Sequence, residues 1–256
     1  MKNDQVIEQK ITIKGIPVLL FTPIKKTDSY PTIFFYHGWG SDKESQRFRG
    51  YILATLGFQV VLPDALYHGQ RGTLDYDLRD NAAKYFWKVI LNNITESDLL
   101  IEEVVKNYKG DKNNIGMTGH SMGGFTASGI FTNNATIKAL CVVNGSCAWN
   151  HTNHIFAEHL DLSYSPLDKK DDQTINELDP INHVDQLIDR PILLLHGDKD
   201  SLVPIDSQRT FYKKIAPLYS DKAKINFIEY PRLNHHLTTQ MMEEMYMFFE
   251  KHLSKC

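Results

Sequence analysis

The segment from Gly119 to Gly123 reads G-H-S-M-G and carries the residue types of a serine nucleophile held at a sharp turn. The pattern G-x-S-x-G places a serine where a strand turns abruptly into a helix, so that its hydroxyl is exposed. Glycine suits the flanking positions because a side chain would clash in so tight a turn. The pattern is short, and alone it is also compatible with a loop that happens to contain a serine.

Two later segments offer an acid and a base for Ser121. A serine hydroxyl becomes nucleophilic when a base takes its proton, and a carboxylate must orient that base. Residues 196–204 read H-G-D-K-D-S-L-V-P, and residues 230–238 read Y-P-R-L-N-H-H-L-T. The chain order is therefore serine, aspartate, histidine. Agreement of three segments in one order makes an accidental serine loop a poor explanation.

Apolar runs that predict buried strands lead into all three segments. They are Asn114–Thr118 before the serine, Pro191–Leu195 before the acid and Lys224–Glu229 before the base. The carboxyl ends of parallel strands meet at one edge of a sheet, where sites of α/β proteins form. We therefore expect the three side chains to converge at that edge.

The rest of the chain alternates strand and helix patterns. Alternating residues around Lys14-Gly15 predict an antiparallel hairpin over residues 6–21, and consecutive apolar runs predict buried strands at 32–36, 58–62 and 139–143. This alternation predicts an α/β class and a mostly parallel sheet with helices on both faces.

Helix signals are found between these strands. Ser41-Asp42 are expected to cap a helix that ends near Leu56, and Thr95-x-x-Asp98 is expected to begin the second half of a long helical region as a capping box. Further helices are predicted over 207–215 and around Met241 to Phe249. Residues 146–186 lack a clear period and are too long for an ordinary connection, so we interpret them as an inserted cap.

Length and composition limit the classes of protein. The 256 residues suit a single α/β domain spanning 1–256, and a formal charge of −3 without a basic stripe argues against nucleic acid as a partner. The polar N-terminus and the absence of a long apolar run predict a cytoplasmic protein without a membrane span. Three irregularly spaced cysteines predict neither a disulfide framework nor a zinc site.

With these motifs the chain resembles the α/β-hydrolase superfamily, in particular small bacterial esterases near the prolyl-oligopeptidase and dienelactone-hydrolase branch. The resemblance covers nearly the whole chain and is weakest in the cap. It implies an α/β-hydrolase fold with Ser121 as nucleophile, Asp200 as acid through H-G-x-x-D-x-x-V-P, and His235 as base through H-x-x-T. The family's usual glycine before the histidine is Asn234 here, so His236 stays an alternative base.

The resemblance also implies an oxyanion hole and an activity. The H-G-W-G segment at 37–40 would supply the backbone N–H of Trp39, and the residue after the nucleophile would supply that of Met122. Dienelactone hydrolases carry cysteine at the elbow, so Ser121 argues against that activity. The implied protein is a carboxylesterase for short to medium acyl chains that works through an acyl-enzyme and needs no metal or organic cofactor.

Other residues have two open interpretations. His68 either shapes the pocket floor or hydrogen-bonds its own loop. Trp149 and Phe156 either line the pocket or anchor the cap to the core.

The activity has alternatives as well. The same machinery could serve a thioesterase or a small acyl-peptide hydrolase, and a non-catalytic ligand sensor on this fold is the alternative of another class. The partner is expected to be a small-molecule ester, and the protein a monomer or a homodimer.

Overall fold

The computed structural model describes residues 5–160 and 169–253, and within them eight strands form one sheet in the order β1-β2-β4-β3-β5-β6-β7-β8. The strands are β1 (Val6–Ile13), β2 (Ile16–Pro23), β3 (Tyr30–Tyr36), β4 (Gln59–Pro63), β5 (Gly110–His120), β6 (Ala139–Val143), β7 (Ile192–Gly197) and β8 (Ile225–Tyr230). Strands β1 and β2 pair antiparallel with each other, β2 pairs antiparallel with β4, and the remaining pairs are parallel. The predicted hairpin and the mostly parallel sheet are confirmed.

The described α-helices lie between the parallel strands, except for the last one, which follows β8. They are α1 (Arg47–Thr55), α2 (Arg79–Asn107), α3 (Met122–Asn133), α4 (Trp149–Leu160), α5 (Lys169–Leu178), α6 (Val184–Leu187), α7 (Asp206–Ile215) and α8 (Thr239–His252). None of the described helices combines the length and the apolar character that a bilayer crossing requires.

Apolar clusters cover the sheet on both faces. Val104 of α2, Ile130 of α3 and Phe211 of α7 pack in one cluster, whereas Leu53 of α1 and Phe249 of α8 belong to the other. Side chains alternate between the two faces along a strand, so strands covered on both sides must be apolar at consecutive positions. This explains the apolar runs and confirms the α/β class.

Two helix boundaries differ from the predictions. Helix α1 begins at Arg47, because the Asp42 carboxylate accepts hydrogen bonds from the backbone N–H and the hydroxyl of Ser45 and closes a separate turn before the helix. Helix α2 runs unbroken through Thr95, whose hydroxyl donates to the Leu91 carbonyl inside the helix. The capping box predicted at Thr95 was therefore wrong, and local hydrogen bonding by short polar side chains explains both errors.

The described part of the predicted cap is mostly helical. Helix α4 begins shortly after β6, and the backbone N–H groups of Trp149 and Asn150 donate to the carboxylate of Asp179. The start of α4 is thereby tied to the segment that follows α5. Residues 161–168 of the predicted cap lie outside the described residues, and the division into domain and cap stays a prediction.

Candidate active site

Ser121 occupies a strained turn between β5 and α3. Its φ of +57° and ψ of −124° lie in a region that side-chain-bearing residues rarely adopt. The turn is held by its backbone: the Ser121 N–H donates to the Val143 carbonyl at 2.9 Å, and the Gly124 N–H donates to the Ser121 carbonyl at 2.7 Å. Ser121 remains partly exposed and lies at the carboxyl end of β5.

The glycines beside Ser121 are required by close backbone contacts. A Cβ on Gly119 would collide with the Gly123 carbonyl, and a Cβ on Gly123 would collide with the Tyr36 carbonyl of β3. Both obstacles are backbone atoms, which cannot move aside as a flexible side chain can. The close approach of α3 to β5 and β3 therefore depends on these two glycines.

Asp200 and His235 form a direct pair. The Nδ1 of His235 lies 2.7 Å from Oδ2 of Asp200, whose side chain is fully buried, whereas the His235 ring keeps 11% of its surface exposed. A carboxylate can only accept, so Nδ1 carries the proton and Nε2 is left to act as a base. The adjacent His236 side chain is exposed, and in the described chain it forms no hydrogen bond or ion pair with Asp200.

Asp200 is held in its ionised form by its surroundings. Its Oδ1 accepts the backbone N–H groups of Leu202 and Val203 at 3.0 and 2.8 Å. Burial alone would raise the pKa of Asp200, but hydrogen bonds from His196 and His235 outweigh burial and hold the pKa well below its usual range. Asp200 therefore remains a carboxylate across the acid range.

His196 reaches this pair from the end of β7. Its Nε2 lies 2.8 Å from the Val203 carbonyl and 3.2 Å from Oδ2 of Asp200, so one N–H is shared and the shorter contact is to Val203. This histidine is the first residue of the 196–204 motif. The contact with Asp200 is an additional feature that the motif did not show.

The two predicted oxyanion donors lie at the elbow. A Cβ on Gly38 would stand 3.2 Å from the Ser121 Cβ, so the segment before Trp39 passes close to Ser121. Met122 is the first residue of α3, and first-turn N–H groups have no acceptor within their own helix. The Trp39 N–H makes no backbone hydrogen bond within residues 5–160 and 169–253.

Residues after β4 support the Trp39 segment. The Nδ1 of the buried His68 lies 2.8 Å from the Leu66 carbonyl oxygen, and its Nε2 accepts a hydrogen bond from the Gly40 N–H at 3.3 Å. Its ring lies 5.2 Å from that of Trp39 and stacks on Tyr76 at 4.9 Å. These contacts are those of a loop-ordering residue.

Trp149 and Phe156 occupy different environments. Trp149 is fully buried, its indole N–H donates to the Ser146 carbonyl at 3.1 Å, and its ring lies 5.2 Å from that of Trp87. Phe156 of α4 is partly buried, with its ring 6.5 Å from that of Phe86. Trp149 therefore anchors α4 to the core, whereas Phe156 stays partly exposed.

Asn234 is a site residue whose role the motifs did not reveal. Its Oδ1 accepts the Ser201 N–H at 2.9 Å, the Ser201 hydroxyl at 3.1 Å and the His235 N–H at 2.8 Å. It thereby joins the residue after Asp200 to the proposed base. The signal that could have found it is its departure from the glycine usual in related sequences.

Within the described residues, no group of three histidine, cysteine, aspartate or glutamate side chains is arranged to hold a metal ion. Residues 196–204 and 230–238 thus pair a buried carboxylate with an oriented imidazole, and residues 119–123 contribute a partly exposed serine at the same edge of the sheet.

Comparison with known proteins identifies relatives of this chain. The model of the prolyl oligopeptidase family matches residues 44–256. YitV of Bacillus subtilis, provisionally assigned as an esterase, is 31% identical, with 94% of this chain and 97% of YitV covered. The esterase YjfP of Escherichia coli is 28% identical over the same shares of the two chains. Among solved structures, TT1662 from Thermus thermophilus superposes with a TM-score of 0.80 at 20% identity, covering 96% of this chain and 98% of that one, which shows a common fold.

Proposed function

The chain belongs to the prolyl oligopeptidase family, and from this premise we infer that it is a serine hydrolase that cleaves carboxylic esters. The observation that carries the proposal is the 2.7 Å contact between His235 Nδ1 and Asp200 Oδ2 at the sheet edge that also bears the strained Ser121. Both relatives are named as esterases, YitV provisionally, and these names favour an ester as the substrate.

In the proposed reaction Ser121 attacks the ester carbonyl carbon while Nε2 of His235 takes the hydroxyl proton. The negative charge that develops on the carbonyl oxygen is stabilised by the backbone N–H groups of Trp39 and Met122. Collapse of the tetrahedral intermediate breaks the bond to the alcohol, which leaves with the proton from His235. An acyl group is then bound to Ser121.

Water completes the cycle. His235 removes a proton from water, which attacks the acyl carbon, and the second intermediate releases a carboxylic acid as the proton returns to Ser121. Asp200 keeps the imidazole in the correct tautomer and stabilises the imidazolium that forms twice in each turnover. Its depressed pKa means that it can do so without taking up the proton itself.

The acyl and alcohol groups of the substrate would be selected by residues 146–186, the proposed cap. The proposed acyl chains are short to medium. Thioesters and acyl peptides present the same acyl carbon to the same machinery, so a profile over ester and thioester chain lengths measures this preference.

The proposal is tested by comparing wild-type protein with Ser121→Ala on p-nitrophenyl acetate and p-nitrophenyl butyrate. Loss of the nucleophile is expected to lower kcat by at least roughly 10³-fold, because the remaining groups cannot form an acyl-enzyme. The thermal midpoint of the variant should stay close to that of the wild type. Retained turnover by Ser121→Ala contradicts the proposal, and a wild-type protein that binds esters without hydrolysing them supports a ligand sensor instead.

A further inference from the structure

Asn144 follows β6 directly and has an unusual backbone conformation for a buried residue. Its φ is +46°, in the left-handed region, and its side chain is fully buried. Glycine adopts this conformation without steric cost, and asparagine tolerates it better than most residues that carry a Cβ. A buried carboxamide is costly unless it is hydrogen-bonded, so the partners of this side chain explain its position.

The carboxamide of Asn144 has a chemically determined orientation. One side-chain atom lies 3.0 Å from the backbone nitrogen of Gly197, which is a donor, so this atom must be the oxygen Oδ1. The amide Nδ2 therefore faces the other way, 3.2 Å from Nε2 of His120 and 3.1 Å from the carbonyl oxygen of His236. Both of these partners can accept, so all three contacts are satisfied at once.

The three partners lie on the three segments of the proposed site. His120 immediately precedes Ser121, Gly197 ends the strand that leads to Asp200, and His236 immediately follows His235. The backbone of Asn144 adds a fourth connection, because its N–H donates to the Leu195 carbonyl at 2.9 Å. One side chain thus connects the nucleophile, acid and base segments, which are far apart in the chain.

We propose that Asn144 is a positioning residue for the hydrolytic reaction, holding the His235 segment in register with Ser121 and Asp200 through the three hydrogen bonds of its carboxamide. This inference rests on the proposed function. Asn144 acts through His120, Gly197 and His236 and not by touching the substrate. Its removal should therefore affect the chemical step more than substrate binding.

The contact with His120 affects the charge next to His235, the proposed base. The ring of His120 lies 4.8 Å from that of His235, and because Nδ2 of Asn144 donates to Nε2, that nitrogen carries no proton. Burial and the neighbouring His235 together lower the pKa of His120 to about 3. His120 therefore stays neutral next to the imidazole that must become positively charged during catalysis.

Two substitutions distinguish the effect of the carboxamide from the effect of the backbone conformation. Asn144→Gly removes the side chain at a position where glycine is sterically favoured, so the backbone can keep its conformation. Asn144→Asp retains an oxygen for the Gly197 N–H but offers no donor to His236 or His120. Lys14→Gly is the matched control, since Lys14 also has a left-handed φ of +49° but lies in the exposed hairpin turn.

The measurements are kcat and KM for p-nitrophenyl butyrate and the thermal midpoint of each protein. We expect kcat to fall roughly 10- to 100-fold in Asn144→Gly and in Asn144→Asp, as for a base displaced from its productive geometry, with KM changed less than about twofold. Lys14→Gly should match the wild type in both parameters. A kcat within about twofold of the wild type in both Asn144 variants overturns the inference.

Two further outcomes also decide the question. If Asn144→Gly does not fold, Asn144→Asp alone decides, and loss of kcat at an unchanged thermal midpoint supports positioning. If both variants unfold at the assay temperature, or if KM rises as much as kcat falls, Asn144 serves folding or binding and the positioning role is overturned. Wild-type turnover separates this inference from the proposed function, because inactive wild-type protein refutes the latter whatever the variants do.

Discussion

His235 and His236 are neighbours in the chain, yet the structure places only the first beside a carboxylate. The Nδ1 of His235 lies 2.7 Å from Asp200, whereas the His236 side chain is exposed and the residue contributes its backbone carbonyl to the site. A base needs both an oriented ring and a partner for the nitrogen that keeps its proton. These requirements favour His235 over His236.

The two histidines are distinguished by single substitutions. His235→Ala is expected to lower kcat for p-nitrophenyl butyrate by at least roughly 10³-fold, because Ser121 then has no base. His236→Ala should remain within about threefold of the wild type, as is usual for an exposed side chain. Steady-state kinetics of both variants check this, and an inactive His236→Ala beside an active His235→Ala reverses the assignment.

The order of the three segments together with the family resemblance identified the candidate nucleophile, acid and base, because each lies in a short motif. The motifs do not show the contacts of the residues that organise them. Asn144 contacts residues 24 and 92 positions away in the chain, and Asn234 contacts Ser201 from 33 positions away. A motif records only neighbours in sequence, so side chains that connect distant loops become evident only when the strands are assembled.

The elbow is an element whose function depends on close backbone packing. Gly123 of α3 lies against the Tyr36 carbonyl at the end of β3, and Tyr36 directly precedes the 37–40 segment that would supply an oxyanion donor. A displaced β3 end would therefore move Trp39 relative to Ser121. In the proposed mechanism, backbone packing and stabilisation of the oxyanion are therefore coupled at this contact.

Gly123→Ala is expected to destabilise the protein by about 1–3 kcal/mol and to lower kcat, because the new methyl group meets a backbone carbonyl. Gly124→Ala is the matched comparison: its Cβ would come no closer than 3.1 Å to Gly145 and Val142, so the expected loss is smaller. Urea unfolding and ester hydrolysis measure both effects. If the two variants were equally stable and equally active, the backbone would not be packed more tightly around Gly123 than around Gly124.

At the element scale the strands were predicted better than the helix boundaries. A strand buried on both faces has a continuous apolar run, and β6 was predicted with its observed bounds, Ala139–Val143. Helix starts depend on which backbone groups a short polar side chain bonds, and Asp42 bonds Ser45 in a turn before α1. The same residue types occur in caps and turns, so sequence does not separate them.

Two of the described histidines, His37 and His120, have strongly lowered pKa values that link the stability of the protein to pH. Burial lowers the pKa of His37 to about 4, and burial together with His235 lowers that of His120 to about 3. In the unfolded chain a histidine titrates near pH 6.5. Between these values the unfolded state binds more protons than the folded state, so stability increases with pH in this window.

These two histidines are expected to make the free energy of unfolding about 3–4 kcal/mol lower at pH 5 than at pH 7, about 2 kcal/mol each. The lowered pKa values of His68 and His252 act in the same direction. The stabilisation is fully present above pH 6.5 and is lost as the pH falls towards the folded pKa values of about 4 and 3. Urea unfolding at a series of pH values measures it, and His120→Gln should remove about half of the loss. A free energy that does not change between pH 7 and pH 5 contradicts the assignment of neutral buried histidines.

At the scale of the molecule, alternation of strand and helix patterns was sufficient to predict the α/β class and the edge where the site forms. The arrangement of residues 146–186 was not predictable. Helix α4 is joined to α3 by the contact of Trp149 with Ser128 and to α5 by the contact of Asn150 with Asn176. Such tertiary contacts leave no periodic pattern, and the proposed selection of the acyl and alcohol groups depends on them.

The most direct test of the central claim is the site of labelling by a fluorophosphonate, which reacts with a serine only when that serine is activated as a nucleophile. Intact-protein and peptide mass spectrometry should show one adduct on wild-type protein, located on Ser121, and no adduct on Ser121→Ala. Labelling of His235→Ala should be strongly slowed, because its serine lacks the base. An adduct on another residue, or wild-type ester hydrolysis with Ser121 left unlabelled, would contradict Ser121 as the nucleophile.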